Sequence, residues 1–396
     1  MQQNLILEFP VSEYQERLSR LKAKMQEYRM DAILLTTASN VRYFSGLRSI
    51  VWTSNSSMPG VLLINADGRM LLISSKSNSN TAFVTSCVSR EELVIFKAGT
   101  SLPTFSAALH AAMHEMKLEG AAIGLEYGEG FRLRMTMKDY DAMRAEFSQA
   151  RFLDAADLLW DIRSVKSPLE QARLRKAAQI NSRAFDSAFE RIVPGKTTEE
   201  EVFQFMASTC FQLGAEEMLP LELHGRKDRY ANYNCPPSHL PFSTERGTMI
   251  TIDGGPSYQG YYSDITRVGV VGGPSEKQKE MFKIASDGFW AALDALKPGR
   301  TADEVCRLTD AWFDKAGVGD IFVSRGWIGH CLGLDVHEYP CLCHGDLRVI
   351  QPGMVFAVEP FIFNEVDGSF GIEDNVLVTE NGVEMLSNAS HELYCV

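Results

Sequence analysis

No stripe of lysine and arginine relieves the acidic character of this 396-residue chain, which carries 39 basic against 51 acidic side chains and a formal charge of −12. A phosphate-binding face needs clustered cations, so no nucleic-acid partner is expected. No apolar run approaches the ~18 residues of a membrane span, and the opening MQQNLILEFPVSEYQER lacks the charged-then-apolar layout of a signal peptide. The expectation is a cytoplasmic protein with no membrane partner. A disulfide framework is missing too. The eight cysteines are scattered without a framework spacing, which suits reduced thiols, and Cys341-Leu-Cys343 is too closely spaced for the CxxC of a zinc ribbon. What remains is 45% apolar and 23% charged, the composition of an ordinary globular protein long enough for two or three domains.

Helical and strand patterns alternate through the first part. An amphipathic stretch runs from about Glu13 to Tyr28, then AILLT (Ala32 to Thr36), then VLLIN and MLLIS on either side of the turn ADGR. A helix through Ala107 to Met116, the strand AAIGLE and a helix around Met135 to Phe147 complete an α/β domain over residues 1–160. The segment FLDAADLLWDIRSVK leads into a new helical run at Ser167-Pro168, with proline in a favoured first-turn position, which opens a second domain over 161–396. Within it, Ser167 to Val202 is echoed by Gly273 to Val305: proline, a helix with apolar residues at helical spacing, a Pro-Gly-basic-Thr stop, and a second helix. Thr198 with Glu201, and Thr301 with Glu304, have capping-box spacing. Two similar α+β units about a pseudo-twofold axis are expected, with any site at their junction drawing ligands from both.

The stretch IDGGPSYQGYYSDITR holds Asp253 and Asp264 around a Gly/Pro/Gly turn. The flanking MITI and YYSDITRVGVV read as two strands of one hairpin, a pairing that can set the aspartates directly opposite each other. Cross-strand neighbours on one face lie ~5 Å apart at Cβ, and like charges there repel. Either something positive lies between them, or Asp264 pairs with Arg267 or faces water while Asp253 caps the turn. Downstream, WIGHCLGLDVHEYP holds His330 and His337, MVFAVEPF holds Glu359, and FGIEDNVLVTENG holds Glu373. A glutamate embedded in apolar strand is costly to bury ionised without a cation or dense hydrogen bonding. Four carboxylates and one imidazole carry a formal charge near −4, which two divalent cations neutralise. Oxygen-dominated ligation with one histidine suits Mn, Co, Fe or Zn.

These motifs resemble the pita-bread metallopeptidases, the family of prolidase, Xaa-Pro aminopeptidase, methionine aminopeptidase and creatinase, over essentially the whole chain. DAILLTTASNVRYFSGL is similar to the creatinase-type N-terminal domain, and DIRSVKSPLEQARLRKAAQI to the entry into the catalytic domain. The resemblance implies an α+β, pita-bread catalytic domain with internal pseudo-twofold duplication, preceded by a creatinase-type α/β domain. It implies two divalent metal ions per chain, manganese first, held by Asp253 in IDGG, Asp264 in SDITR, His330 in GHCLGLDVHE, Glu359 in VEP and Glu373 in GIED. Asp253 would serve one ion, His330 and Glu359 the other, and Asp264 and Glu373 both. The implied mechanism is attack on a carbonyl carbon by a hydroxide bridging the ions. Glu359 is similar in place to the family's proton shuttle. His337 is similar to a histidine that bonds the substrate or oxyanion, with a satisfied core histidine as the other reading.

The surrounding positions depart from the family pattern. Pro236 stands where Xaa-Pro peptidases carry the histidine of an HY-x-P segment, with His224 and His239 nearby as candidate substitutes. Gly371 stands where many relatives have arginine, Cys331 where glycine is common after the metal histidine, and Gly326 where some aminopeptidases have a further histidine. The loop-like YFSGLRSIVWTSNSSMPG contributes Arg48 and Trp52, which are either substrate contacts at a homodimer interface or, for Trp52, core. The leading expectation is therefore a prolidase or Xaa-Pro aminopeptidase acting on short peptides. The alternatives are a creatinase-like C–N hydrolase of a small non-peptide compound, or a silent relative that binds without catalysis.

Overall fold

The structure is a computed structural model describing residues 6–54, 58–219, 222–226 and 235–396. Contacts divide the chain into two compact units, Met1–Arg163 and Ser164–Val396.

The first unit is built on a six-stranded sheet in the order Leu93–Phe96, Met70–Ser75, Gly60–Asn65, Ala32–Leu35, Ala122–Leu125, Arg151–Asp154. Ala32–Leu35 is central and buried at every residue, which is why AILL is apolar throughout rather than alternating. It pairs antiparallel with the strand after it and parallel with Ala122–Leu125. The ADGR turn closes the antiparallel hairpin with Gly68 at φ +90°. Leu109 and Met113 of the Phe105–Glu115 helix and Met143 of the Met137–Glu146 helix pack on this sheet with Leu34, Leu63 and Ile123. At the end of Ala122–Leu125, Glu126 is fully buried beside the start of the Ala38–Ser45 helix. Its carboxylate accepts from the backbone and hydroxyl of both Thr36 and Thr37 and from Asn40 Nδ2 at 2.6 Å. A helix N-terminus favours negative charge, so this dense acceptor sits where the backbone dipole wants it.

The second unit starts each of its long helices in the same way. Pro168–Arg191, Glu199–Gln212, Glu276–Ala295 and Ala302–Lys315 all open on reciprocal capping boxes: Ser167 with Glu170, Thr198 with Glu201, Ser275 with Gln278, Thr301 with Glu304. The duplication is visible in the backbone hydrogen bonds. Phe242 donates to Thr197 O at 3.0 Å, and Ile350 to Arg300 O at 2.8 Å. Gly247 donates to Val271 O and Gly353 to Val378 O, both at 2.9 Å. One copy builds the sheet Tyr394–Cys395, Ile265–Val270, Met249–Gly254, Glu222–His224. The other builds Glu338–Cys343, Trp327–Cys331, Val355–Val358, Asp374–Thr379, Gly382–Met385. Each long helix covers its own sheet: Phe185 and Phe189 lie with Ile250 and Ile252, and Phe289 with Phe356 and Val358. The copies meet at one antiparallel bridge, Thr266 to Glu373.

The expectation that Asp253 and Asp264 face each other across a plain hairpin is corrected. Asp253 opposes Thr266, and Asp264 lies two residues earlier on the same face, hence diagonal to it. Two short strands, Pro256–Tyr258 and Tyr261–Tyr262, intervene and displace the pairing. The diagonal lengthens the separation and leaves a hydroxyl across from Asp253 on this strand pair, while Glu222 opposes it on the other side.

Replacing Glu126 by alanine strands several buried donors at once and should lower the stability of the first unit by roughly 3 kcal/mol. Urea unfolding of the wild-type and variant chains measures this, and an unchanged midpoint would show the network to be dispensable.

Candidate metal centre

Three adjacent positions on the bridge between the copies bring the carboxylates together. Thr266 Oγ1 lies 2.6 Å from Asp253 Oδ1 and 2.6 Å from Glu373 Oε2. A hydroxyl has one proton, so it donates to only one of them, and the other needs a proton or a cation. Oxygens of Asp253, Asp264 and Glu373 lie within 4.8 Å of one another, as do ligand atoms of His330, Glu359 and Glu373. The two triads share Glu373, the arrangement expected of a paired site.

His330 belongs to the Trp327–Cys331 strand and is fully buried. Its Nδ1 bonds the Cys331 carbonyl at 2.8 Å, which places the ring proton on Nδ1 and turns the Nε2 lone pair inward. Nε2 is buried without a hydrogen-bond partner, 3.5 Å from Glu359 Oε1 and 3.9 Å from Asp264 Oδ2. Burial, then neighbouring His337, pushes the His330 pKa down to about 3, so the ring is neutral. A neutral imidazole with one nitrogen tied to a carbonyl and the other aimed at carboxylates is what a cation requires.

The carboxyls respond in the opposite direction. Burial raises Asp253. Burial, then the charge of Asp253, drives Asp264 and Glu359 well above the ordinary range, and burial with Asp264 and Glu359 does the same to Glu373. Among the described residues lining the cavity there is no lysine or arginine. The side chains therefore fit divalent cations: an oxygen-rich set with one nitrogen and a charge that only cations offset.

Asn375, Glu338 and Lys166, which the sequence reading passed over, and Arg267, weighed there only as a partner for Asp264, hold this set in place. Asn375 accepts from the Asp264 backbone at 3.1 Å and from Ser263 Oγ at 2.7 Å, and donates to Asp264 O at 2.6 Å. Arg267, buried, donates to Glu373 O at 2.7 Å and to Asp374 Oδ1 at 2.8 Å, tying one copy to the other. His337 stands in the turn before Glu338–Cys343, its ring 4.3 Å from that of His330, and burial lowers its pKa. Glu338 braces that turn through Asp335 N at 3.2 Å and a buried ion pair with Lys166 at 3.2 Å. An embedded charge in an apolar strand was the signal that exposed Glu359, and it applies equally to Arg267.

A cavity of about 630 Å³ opens over the cluster, walled by Val323, Trp327 and Phe361 on its apolar side and edged by Ser324, His337 and Glu222. Phe361 pairs across strands with Gly371, and its ring lies so close that a Cβ at 371 would sit 2.4 Å away. The arginine missing from 371 is thus replaced by an aromatic face. His224 opposes Thr251 and is buried, and it is not among the cavity-lining residues. Counting from the paired glycines 247 and 353, His224 is the counterpart of His330, as Asp253 is of Glu359. Pro236 and His239 are at the surface, and the segment 227–234 before them lies outside the described residues. Arg48 and Trp52 belong to the first unit, where Arg48 pairs with Glu8 at 3.5 Å and Trp52 stacks under Arg134 at 5.2 Å.

Comparison with known proteins follows the same division. Residues 172–380 match Metallopeptidase family M24, and residues 17–165 match the Creatinase/Prolidase N-terminal domain. The chain belongs to metallopeptidase family M24. It is a metal-dependent hydrolase with the pita-bread catalytic fold behind a creatinase-type N-terminal domain, and the family implies divalent metal ions. It is 29% identical over 378 residues to a Xaa-Pro dipeptidase of Pyrococcus furiosus, covering 96% of this chain and 99% of that one. In structure it is similar to the Xaa-Pro dipeptidase from Bacillus anthracis (TM-score 0.82, 28% identity, 97% of this chain and 100% of that one). It is also similar to the X-Pro aminopeptidase from Thermotoga maritima MSB8 (TM-score 0.80, 26% identity, 96% and 99%). No helix among the described residues is long and apolar enough to cross a membrane.

The raised carboxyls set the pH dependence of the metal-free M24 chain. Groups that keep their protons to higher pH when folded than when unfolded make the folded state bind more protons. Their effect is absent below the ordinary carboxyl range near pH ~4 and grows as pH rises through the raised values, so stability falls. The lowered imidazoles of His330 and His337 act in the opposite sense below their ordinary range near pH ~6.5, so the carboxyl effect is read above it. Chelated protein should therefore melt at progressively lower temperature from neutral to mildly alkaline pH, and added divalent metal should abolish the slope. Asp264→Asn should flatten it without metal and lose most metal binding. Identical melting profiles with and without metal would overturn the assignment.

Proposed function

We propose that this protein is a two-cation hydrolase of the prolidase and Xaa-Pro aminopeptidase type, cutting the bond next to proline in short peptides. The observation that carries the reading is the clustering of four carboxylates, three of them beside a buried His330 nitrogen that has no hydrogen-bond partner among the described residues, beneath one cavity. The substrate class is supported by relatives of matching length that are named Xaa-Pro dipeptidase and X-Pro aminopeptidase. In this reading Asp253 serves one ion, His330 and Glu359 the other, and Asp264 and Glu373 both. Manganese suits the oxygen-rich set best, with Co, Fe or Zn as the other candidates.

When bound, two such cations would supply Lewis acidity toward the scissile carbonyl and would acidify a bound water enough to make it a nucleophile near neutral pH. The chain's own groups do the rest. Glu359, whose carboxyl burial and neighbouring charges push up, takes a proton and returns it to the leaving nitrogen. His337, kept neutral by burial, donates an N–H to the substrate oxygen. Val323, Trp327 and Phe361 form the kind of apolar wall against which a proline ring packs. The aromatic face over Gly371 favours one other reading, C–N hydrolysis of a small non-peptide compound.

We also read the chain as a homodimer in which Trp52 and Arg48 serve the partner's substrate; Ile50, beside Trp52, is 89% exposed. Sedimentation should then give twice the 44.2 kDa chain mass, and Trp52→Ala should raise KM more than it lowers the melting temperature. A fully active monomer at nanomolar concentration would exclude this.

A panel of Xaa-Pro dipeptides, longer Xaa-Pro peptides and creatine-like compounds, assayed with metal-loaded protein, tests the main reading. Turnover confined to the creatine-like compounds would move the assignment to the second. Within the active panel, Glu359→Gln should lower kcat by roughly 10²-fold or more, whereas His337→Ala should slow turnover and leave metal content nearly unchanged. Loss of metal in the His337 variant would mean that His337 is a ligand.

A further inference from the structure

Away from the cavity, a second group of ligand-type side chains joins the Ala302–Lys315 helix to the end of the Glu338–Cys343 strand. Cys306 and Asp310 are four residues apart, so they project from one helix face, and both are buried. His344 follows the strand, with Nε2 2.7 Å from Asp310 Oδ2. The Cys306 sulfur, an Asp310 oxygen and a His344 ring nitrogen all lie within 4.8 Å of one another.

Backbone contacts hold the group in place before any ion arrives. His344 N donates to Gly326 O at 2.9 Å, and Asp310 Oδ1 accepts from Gly326 N at 3.3 Å. The His344 ring packs on Gly326 so tightly that a Cβ there would lie 3.2 Å from Nδ1, and Gly326 has φ +80°. The His344 side chain is 40% exposed, which leaves one side of the group open to water.

We propose that Cys306, Asp310 and His344 form a third metal site, for one thiolate-preferring divalent cation such as Zn²⁺ or Co²⁺, with water in the fourth position. Zinc binds sulfur at about 2.3 Å and nitrogen or oxygen at about 2.0–2.2 Å, so ligand atoms around it lie roughly 3.3–3.8 Å apart. Side-chain rotations that shift these atoms by about an ångström reach that geometry. The donor set separates this site from the other: sulfur, nitrogen and one oxygen favour zinc or cobalt over manganese, while the dinuclear cluster contains no sulfur. The site also touches the catalytic unit. Gly326, bonded to both Asp310 and His344, directly precedes Trp327, which lines the cavity and stacks on His330 at 5.7 Å. A cation here would clamp the helix to the end of the Glu338–Cys343 strand, which pairs with the strand that carries His330.

Cobalt titration of the metal-free full-length protein reads the site without reference to activity. A sulfur-to-cobalt charge-transfer band in the near ultraviolet should grow to saturation at one equivalent per chain, and manganese should produce none. Cys306→Ser should abolish the band while the remaining cobalt equivalents and hydrolytic activity persist. Because Cys306 is buried, His344→Ala provides a second variant at a half-exposed position. It should weaken cobalt binding at the sulfur site roughly tenfold or more, with an unchanged circular dichroism spectrum. Saturating cobalt without a sulfur band, or a band that survives in Cys306→Ser, would overturn the proposal.

Discussion

Mutual repulsion among four buried carboxylates is the constraint around which the catalytic unit is organised. Asp253, Asp264, Glu359 and Glu373 lie in or at the ends of four strands in two sheets; burial raises all four, and neighbouring carboxylates raise Asp264, Glu359 and Glu373 further. A chain that only needed to be stable would not converge them, since each added charge in a low-dielectric interior disfavours the others. The cost is tolerable only in a rigid frame and with cations to offset it. Arg267 bonded to Asp374 and to the Glu373 carbonyl, and Asn375 bonded to both sides of the Asp264 peptide, are that frame. Neither group cancels the ligand charge. Both neutralise or satisfy the atoms just behind it, which leaves the ligand oxygens facing inward.

Duplication explains how two of these positions arise at once. A strand ending in a carboxylate, following a glycine paired to the next strand, appears in both copies and yields Asp253 and Glu359. Joining the copies at Thr266 and Glu373 brings the two strand ends to one place. The symmetry is broken where chemistry needs it broken. His330 has its counterpart in His224, yet only His330 turns a nitrogen to the carboxylates. The side that faces His224 instead presents Glu222, directly across from Asp253, to the cavity.

The converging carboxylates were legible in the sequence because a charge inside an apolar strand contradicts its surroundings, and contradictions of that kind are local. IDGG, VEP and GIED each display one. The repeat was legible through its PGKT and PGRT stops, which lead straight into helix caps, Thr198 just after the first and Thr301 ending the second. The diagonal offset of Asp253 and Asp264 was not legible, because it depends on two- and three-residue strands inside the turn that have no periodicity of their own. Asn375 and Thr266 were equally hidden: small polar residues in strands are unremarkable until the register shows what stands opposite. Arg267 could have been found by the reasoning applied to Glu359, and was instead read as a partner for Asp264.

The recognition surface obeys a different logic from the metal shell, and the pair Phe361 and Gly371 shows why. A ligand position tolerates little change, since its neighbours are charges that only a ligand and a cation can balance. A wall position answers only to volume. With no side chain at 371, the ring of Phe361 settles onto the backbone, and neither residue alone could occupy its place beside a bulky partner. A side chain at 371 would therefore require Phe361 to move, and the surface beside the carboxylate cluster is aromatic here. In the reading proposed above, reaction type rests with the carboxylate cluster, while the Phe361 and Gly371 packing pair shapes the wall of the cavity beside it.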